Sequence, residues 1–259
     1  MGKFDGILIC SDIDGTFTGS EEIISENKKA VEYFKSEGGK FTFTTGRNVD
    51  YLLKMNLLDC VNAPACLVNG SVIYDYEKKE VLKKTPLKFS LATFLEIIND
   101  YQGENFEITA HNGYEDGESL SFDYQCDPSD LNDTFPLKIV CRFSSAESAD
   151  NFKAFALTKT QFGECYIAKS WNSGVEFNSI SATKGDAIKF IKEQLETVHT
   201  SVGIGDYEND IPLLTGADIG VCVANGLDNV KAASDIIVKR NDEYAIVDLI
   251  NILEARLKL

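Results

Sequence analysis

A short apolar run that ends at a pair of aspartates constrains the fold more than any other part of this sequence. Residues 6–10 (GILIC) form a continuous hydrophobic stretch, which is typical of a strand buried on both faces of a parallel sheet. The motif Asp12-Ile13-Asp14-Gly15-Thr16 follows at once. Because open α/β sheets bind their ligands beyond the carboxyl ends of the strands, the sequence predicts an active site at Asp12 and Asp14.

The two aspartates can divide the chemical work between them. One carboxylate can bind a hard cation or attack an electrophile, while the other exchanges protons. Gly15 allows a sharp turn, and Thr16 adds a hydroxyl that we expect to fix the Asp14 carboxylate. A calcium loop of the EF-hand type is excluded, because Ile23 stands where that loop needs a carboxylate.

The two ends of the chain alternate strand-like and helix-like segments. Strands are predicted over 6–10, 41–44, 66–68, 202–204, 219–223 and 235–238, and helices from near Ser25, over 49–53, 184–195, 210–214 and 243–257. This order predicts an α/β fold with a doubly wound, Rossmann-like, mostly parallel sheet.

The middle of the chain has a different pattern. Segments rich in aromatic and β-branched residues occur at 106–110, 119–124, 138–143 and 164–170, with helix-like stretches at 91–101 and 145–157. Such content is typical of an α+β unit with a mostly antiparallel sheet. We therefore predict two domains: a catalytic core formed by residues 1–81 and 181–259, and an insert formed by residues 82–180.

The charge balance disfavours several classes of partner. The chain has 25 Lys+Arg and 41 Asp+Glu, a formal net charge of −16, which opposes non-specific contact with nucleic acid or an anionic membrane. No apolar run approaches the ~18 residues that span a bilayer. Seven cysteines without a C-x-x-C pair are typical of reduced, buried thiols. We expect a cytoplasmic protein that binds neither nucleic acid nor membrane.

A second acidic motif, Gly205-Asp206-Tyr207-Glu208-Asn209-Asp210, also follows a short apolar strand. Asp206 supplies another oxygen ligand, and Asn209 and Asp210 can tie the acidic cluster to basic partners. A dinucleotide-binding turn is excluded, because the third glycine of G-x-G-x-x-G would fall at Glu208.

Two smaller signals lie between the acidic motifs. Thr44-Thr45-Gly46-Arg47 follows the second predicted strand, where a hydroxyl and free amides can hold a phosphate oxygen. Lys184-Gly185 opens a helix, where an ammonium can neutralise a phosphate. Each signal is weak alone, but all of them fall at strand exits or helix starts.

These four motifs, in this order, resemble those of the haloacid dehalogenase-like hydrolases. Asn69-Gly70 before Ile73-Tyr74-Asp75, together with the size of the insert, resembles the Cof-type (subclass IIB) sugar-phosphate phosphatases, in which residues 82–180 would be the α+β cap (C2B-type) domain. The resemblance implies a phosphoaspartyl mechanism with Mg²⁺ as cofactor.

The resemblance also implies a role for each motif residue. Asp12 would attack phosphorus, and Asp14 would protonate the leaving alkoxide and then deprotonate the attacking water. The predicted Mg²⁺ ligands are Asp12, the backbone carbonyl of Asp14, and Asp206. The predicted phosphate-binding residues are Thr45, Gly46, Arg47 and Lys184, with Asn209 positioning the phosphate or orienting Lys184; Thr16 and Asp210 would support the site.

Three functions remain open at the level of the sequence. The first is a Mg²⁺-dependent phosphatase of small organophosphates such as hexose phosphates, acting as a monomer or weak homodimer on a small phosphorylated metabolite. The second is a phosphomutase similar to the phosphomannomutases, and the third a non-catalytic phospho-ligand binding module. Two candidates for reading the leaving group, His111 and Trp171, are expected instead to be a surface loop residue and part of the cap core.

Overall fold

The computed structural model describes residues 2–115, 117–123 and 135–256 of the chain. Tyr124 and Leu257, the predicted ends of a strand and of the last helix, lie outside the described residues, as does Cys126. The strands are β1 (Ile7–Ser11), β2 (Lys40–Phe43), β3 (Ala65–Leu67), β4 (Val72–Asp75), β5 (Glu80–Lys84), β6 (Glu107–His111), β7 (Ser119–Asp123), β8 (Lys138–Arg142), β9 (Cys165–Trp171), β10 (Gly174–Ser179), β11 (Thr200–Gly205), β12 (Ile219–Val223) and β13 (Ile236–Val238). The helices are α1 (Glu21–Ser36), α2 (Val49–Lys54), α3 (Leu91–Ile98), α4 (Ala146–Leu157), α5 (Lys184–Glu193), α6 (Ile211–Gly216), α7 (Asp228–Ala232) and α8 (Ala245–Arg256).

The core is a five-stranded sheet of order β13-β12-β11-β1-β2 in which all neighbours run parallel. Its central strand β1 is buried on both faces. Ile7 and Ile9 belong to the apolar cluster that includes α1 and α8, whereas Leu8 and Cys10 pack with α5 and α6. Helices thus cover both faces, and the predicted doubly wound α/β fold is confirmed.

The insert forms a second, antiparallel sheet of order β7-β6-β8-β10-β9. Helices α3 and α4 pack on one face through a separate apolar cluster. The α+β cap is therefore present, and all five of its strands lie within segment 82–180; the limits of the two domains remain a prediction. A third, antiparallel sheet, β3-β4-β5, joins the core through a bridge between Thr44 and Cys66.

Several local predictions require correction. Segment 66–68, predicted as a strand of the parallel sheet, forms β3 of the antiparallel sheet and ends at Leu67, and β4, β5 and α7 were not predicted. Helix α1 begins at Glu21 rather than near Ser25, because the Ser20 hydroxyl accepts the Ile23 amide and caps the helix. Strand β10 was not predicted, although Val175 and Phe177 alternate with Glu176 and Asn178 in the pattern of a strand with one apolar face. The polar face of this strand is nonetheless buried.

The described cysteines are mostly buried. Six described cysteines are free thiols, five of them buried. Within the described residues, no helix combines the length and apolarity that crossing a bilayer requires.

Candidate active site

The predicted site residues meet at the carboxyl edge of the core sheet. Asp12 follows β1, Thr45 follows β2 and Asp206 follows β11. Lys184 is the first residue of α5, whose start is fixed by a reciprocal capping box between Thr183 and Asp186. A cavity of about 580 Å³ lies between this edge and the polar face of the cap sheet.

Lys184 is buried between two carboxylates. Its Nζ donates to Asp12 Oδ1 at 2.5 Å and to Asp210 Oδ1 at 2.6 Å, and the residue is 1% exposed. Burial lowers the pKa of Lys184, but the carboxylates of Asp12 and Asp210 outweigh it and raise the pKa above its usual value. The ammonium therefore stays charged and fixes one oxygen of Asp12.

Asp210 organises the loop that carries Asp206. Its second oxygen accepts the backbone amides of Asp206 at 3.0 Å and Tyr207 at 3.1 Å. Asp210 itself is fully buried. One side chain therefore connects Lys184 to the acidic loop, and the supporting role of Asp210 remains a prediction.

Three carboxylates form a cluster that suits a divalent cation. One oxygen each of Asp12, Asp206 and Asp210 lie within 4.8 Å of one another. Burial raises the pKa of Asp12 well above its usual value; the Lys184 ammonium opposes this, and the Asp210 and Asp206 carboxylates add to it. Burial and the Asp210 carboxylate raise the pKa of Asp206 to about 7. Because one ammonium faces three carboxylates, an oxygen-preferring cation such as Mg²⁺ fits this donor set.

The side chain of Asp14 lies outside this cluster. Its carboxylate accepts Arg47 Nε at 2.9 Å and the Tyr51 hydroxyl at 3.1 Å, and it is 49% exposed at the cavity wall. Arg47, a predicted phosphate ligand, is therefore paired with Asp14. Tyr51 was not identified from the sequence, because a tyrosine in a short helix carries no signal of function.

The predicted partner of Thr16 is wrong. Its hydroxyl donates to Asp206 Oδ1 at 2.9 Å rather than to Asp14, because the turn at Gly15 brings the two acidic motifs together. A Cβ added to Gly15 would lie 2.5 Å from Asp206 Oδ2. Gly15 has a φ of +83°, and its carbonyl accepts Asn225 Nδ2 at 2.8 Å.

The Thr45-Gly46 segment is held by an unusual turn. Thr45 Oγ1 accepts the Arg47 amide at 3.1 Å, and no described residue accepts its hydroxyl hydrogen. The carbonyls of Thr45 and Arg47 accept the amides of Asn69 at 2.9 Å and Val68 at 3.0 Å. Val68 and Asn69 both have left-handed backbone, with φ of +52° and +59°. Since a β-branched residue rarely adopts this conformation, the turn stores strain next to the site.

A buried polar network joins this turn to the cap. Lys138 Nζ donates to Glu176 Oε1 and to the Gly46 carbonyl, both at 2.9 Å, and the side chains of Lys138 and Glu176 are each 4% exposed. Asn69 Nδ2 donates to Glu176 Oε2 at 2.6 Å. Burial raises the pKa of Glu176, but the Lys138 ammonium and the hydrogen bonds from Ser170 and Asn69 outweigh it and lower the pKa below its usual range.

Asn209 belongs to the same network. Its Nδ2 donates to Asn69 Oδ1 at 3.3 Å. Among the described residues, the hydrogen-bond partners of Lys184 are Asp12 and Asp210, so the prediction that Asn209 orients Lys184 is wrong. Asn209 lines the cavity, and its predicted contact with phosphate remains a prediction.

His111 and Trp171, the two candidates for contacting the leaving group, both lie at the cavity. His111 ends β6 and is half-buried rather than part of a surface loop, and Trp171 ends β9 and lines the cavity rather than packing in the cap core. Burial, followed by the positive charge of Lys138, lowers the pKa of His111 to about 3. The histidine is therefore neutral near pH 7.

Clustered carboxylates at a parallel-sheet edge, beneath an inserted cap, define an α/β protein with a covered acidic site. The model of one family, described as haloacid dehalogenase-like hydrolase, matches residues 9–250. The chain belongs to this family, and the Cof-type, subclass IIB resemblance is confirmed.

Two relatives match almost the whole chain. The chain is 27% identical over 248 residues to the 5-amino-6-(5-phospho-D-ribitylamino)uracil phosphatase YcsE of Bacillus subtilis (strain 168), covering 94% of each. It is 24% identical over 273 residues to the pyridoxal phosphate phosphatase YbhA of Escherichia coli (strain K12), covering 94% of this chain and 97% of the relative. The family match and these named relatives establish the chain as an enzyme, a phosphoric monoester hydrolase.

A solved structure has the same fold. The HAD subclass IIB sugar phosphatase BT4131 superposes with a TM-score of 0.77 at 16% identity, covering 95% of this chain and 98% of the other. The core and the cap of this chain therefore have the same architecture as those of BT4131.

Proposed function

We propose that this enzyme is a Mg²⁺-dependent phosphatase that hydrolyses small organophosphates, sugar phosphates among them, through a phosphoaspartyl intermediate on Asp12. The observation that carries the proposal is the buried Asp12–Lys184–Asp210 arrangement at the cavity floor, with Asp14 on the wall of the same cavity. Lys184 holds Asp12 Oδ1, which leaves Oδ2 for attack on phosphorus. The hydroxyl of Thr45 and the ammonium of Lys184 would hold phosphate oxygens.

The residues account for both halves of the reaction. Asp12 forms a bond to phosphorus as the bond from phosphorus to the leaving oxygen breaks, and Asp14, in its protonated form, gives that oxygen a proton. The Asp14 carboxylate then takes a proton from water; the water oxygen bonds to phosphorus as the bond from phosphorus to Asp12 breaks, which releases inorganic phosphate and regenerates the Asp12 carboxylate. Arg47 and Tyr51 keep the Asp14 carboxylate at the wall where the leaving group must lie.

The carboxylates of this site would need a bound cation to balance their charge. Asp12, Asp206 and the backbone carbonyl of Asp14 would hold Mg²⁺, which when bound offsets the repulsion between the substrate phosphate and the carboxylates. Support comes from the surplus of carboxylates over ammonium groups and from the crowding that raises the pKa of Asp206 to about 7.

The names of the relatives support small metabolites as substrates. YcsE is named for a ribitylaminouracil phosphate and YbhA for pyridoxal phosphate, and the BT4131 structure is titled a sugar phosphatase. The proposal includes a cytoplasmic location, which the free cysteines support. It also includes a monomer or weak homodimer that binds neither nucleic acid nor membrane.

Hydrolysis of p-nitrophenyl phosphate tests the proposal. We expect turnover with Mg²⁺, none with EDTA, and a loss of kcat of roughly 1,000-fold or more in Asp12→Asn, because the attacking oxygen is removed without a change in volume. Asp228→Asn, whose side chain is fully exposed, is the matched control. Full turnover in Asp12→Asn or in EDTA would contradict the proposal. One inorganic phosphate released per hexose phosphate consumed separates hydrolysis from a phosphomutase.

A further inference from the structure

The one tryptophan of the chain lies flat against the cap sheet. Trp171 ends β9 and pairs across a tight hairpin with Gly174, the first residue of β10. A Cβ added to Gly174 would lie 2.1 Å from Cζ2 and 2.2 Å from Cε2 of the indole. The ring therefore occupies the space in which a side chain at position 174 would stand, and only glycine permits this arrangement.

Arg142 continues the same row across the sheet. It pairs with Gly174 from the neighbouring strand β8, and its Cζ lies 5.9 Å from the indole centroid. Among the described residues, its side-chain hydrogen bonds are made by Nη1, to Thr109 Oγ1 and to Glu107 Oε1 at 3.4 Å. The Nη2 and Nε groups therefore remain available to a ligand.

Both side chains face the cavity that holds the carboxylates. Trp171 is half-buried and Arg142 exposed, and both line the cavity together with Asp12 and Asp14. A ligand whose phosphate lies at Asp12 can therefore extend toward the cap sheet, where it meets an indole face and a guanidinium. Among the described residues, Trp171 does not belong to the apolar cluster of the cap.

We propose that Trp171 and Arg142 form a stacking platform for the leaving group, and that the preferred substrates are phosphate esters whose alcohol carries a planar, unsaturated ring. The ring stacks on the indole, and Arg142 donates to a carbonyl or anionic oxygen in the plane of that ring. The inference rests on the proposed function and narrows its substrate class. A saturated sugar offers hydroxyl groups to the guanidinium but no π face to the indole.

A matched pair of esters tests the platform. Uridine 5′-monophosphate and ribose 5-phosphate share the phosphate and the pentose, and they differ in the planar base. We expect kcat/KM for uridine 5′-monophosphate to exceed that for ribose 5-phosphate by about 10-fold to 100-fold, the range that stacking of one base supplies. Trp171→Ala should bring this ratio close to one, and Trp171→Phe should keep most of it.

A control and a second variant sharpen this comparison. Leu157→Ala, at an exposed cap position away from the cavity, should leave the ratio unchanged. Arg142→Gln should lower the ratio, because the charged donor is lost while the indole remains. A ratio that is unaltered in Trp171→Ala overturns the platform.

Binding without turnover separates this inference from the proposed function. Because Trp171 is the only tryptophan, emission of the Asp12→Asn variant reports on the platform alone. Uridine 5′-monophosphate should quench it saturably, after correction for absorbed light with free N-acetyltryptophanamide, and ribose 5-phosphate should not. Equal quenching by both esters, or by neither, overturns the platform even if the enzyme hydrolyses other esters. Failure of the proposed function appears instead as retained turnover in Asp12→Asn.

Discussion

Gly15 offers a direct way to move one carboxylate of the site without deleting it. The residue has a φ of +83°, and Asp206 Oδ2 would lie 2.5 Å from a Cβ placed on it. Asp206 is also held by the Thr16 hydroxyl at 2.9 Å and by the hydrogen bond from its own amide to Asp210. In Gly15→Ala, the new methyl group and this carboxylate cannot both keep their present positions.

The expected size of each effect follows from this geometry. Left-handed backbone costs an alanine roughly 1 kcal/mol relative to glycine, and this lowers the free energy of unfolding. Asp206 Oδ2 must also move by about 0.9 Å, from 2.5 Å to the 3.4 Å at which ordinary contact begins. Because a displacement of about 1 Å in a catalytic site can cost roughly 100-fold in rate, we expect kcat/KM to fall by about that factor.

Gly117 supplies the matched control for backbone strain. It has the same φ of +83°, but no atom of the described residues lies within 4 Å of the Cβ position. Urea unfolding should therefore show a similar loss of stability, roughly 1 kcal/mol, in Gly117→Ala and Gly15→Ala. Hydrolysis of p-nitrophenyl phosphate with Mg²⁺ should fall only in Gly15→Ala. Equal activity losses in the two variants, or full activity in Gly15→Ala, would refute the assigned contact with Asp206.

Two further perturbations address the buried polar groups of the cap. Lys138→Met should lower the free energy of unfolding by about 3–5 kcal/mol, because Glu176 loses its ammonium partner, and urea unfolding should show a smaller loss when Glu176→Leu is added. His111 has a pKa of about 3 in the folded protein, below the ordinary histidine value of 6.5, so the unfolded chain binds the proton more tightly. As the pH falls from 6.5 to 3, the free energy of unfolding should fall by up to about 1.4 kcal/mol per pH unit. Unfolding curves should show that this pH dependence is lost in His111→Gln and kept in the exposed control His199→Gln. An unchanged pH dependence in His111→Gln, or an additive loss in the Lys138 and Glu176 double variant, would contradict these assignments.

The floor of the site was predictable from the sequence because parallel strands impose a strong geometric rule. Asp12, Thr45 and Asp206 each follow an apolar strand, and the carboxyl ends of such strands meet at one sheet edge. Lys184 could be added because it opens a helix that packs against the same sheet. The rule gives positions rather than hydrogen-bond partners, and for this reason the Asp14 contact expected for Thr16 and the Lys184 contact expected for Asn209 were wrong.

The strained turn at Val68 and Asn69 shows a second limit of prediction from the sequence. Asn69-Gly70 is a turn signal, but nothing in the sequence indicates that Val68 also adopts left-handed backbone. That conformation is imposed by tertiary contacts, namely the hydrogen bonds to the carbonyls of Thr45 and Arg47 and the network around Glu176. Propensity alone would assign Val68 to an ordinary strand.

The burial of the polar face of the cap sheet could not be predicted from the sequence, for a related reason. In β8, Ile139 and Cys141 pack in the cap core, whereas Lys138 and Arg142 point to the cavity. This alternation is indistinguishable from that of a strand whose polar face contacts water, so the near-complete burial of Lys138 could not be foreseen. Trp171 was assigned to the cap core because large aromatic side chains usually pack there. Gly174, three residues further on, carried the missing information: a glycine opposite an aromatic residue in a tight hairpin lets the ring lie on the sheet face, and that face lines the cavity.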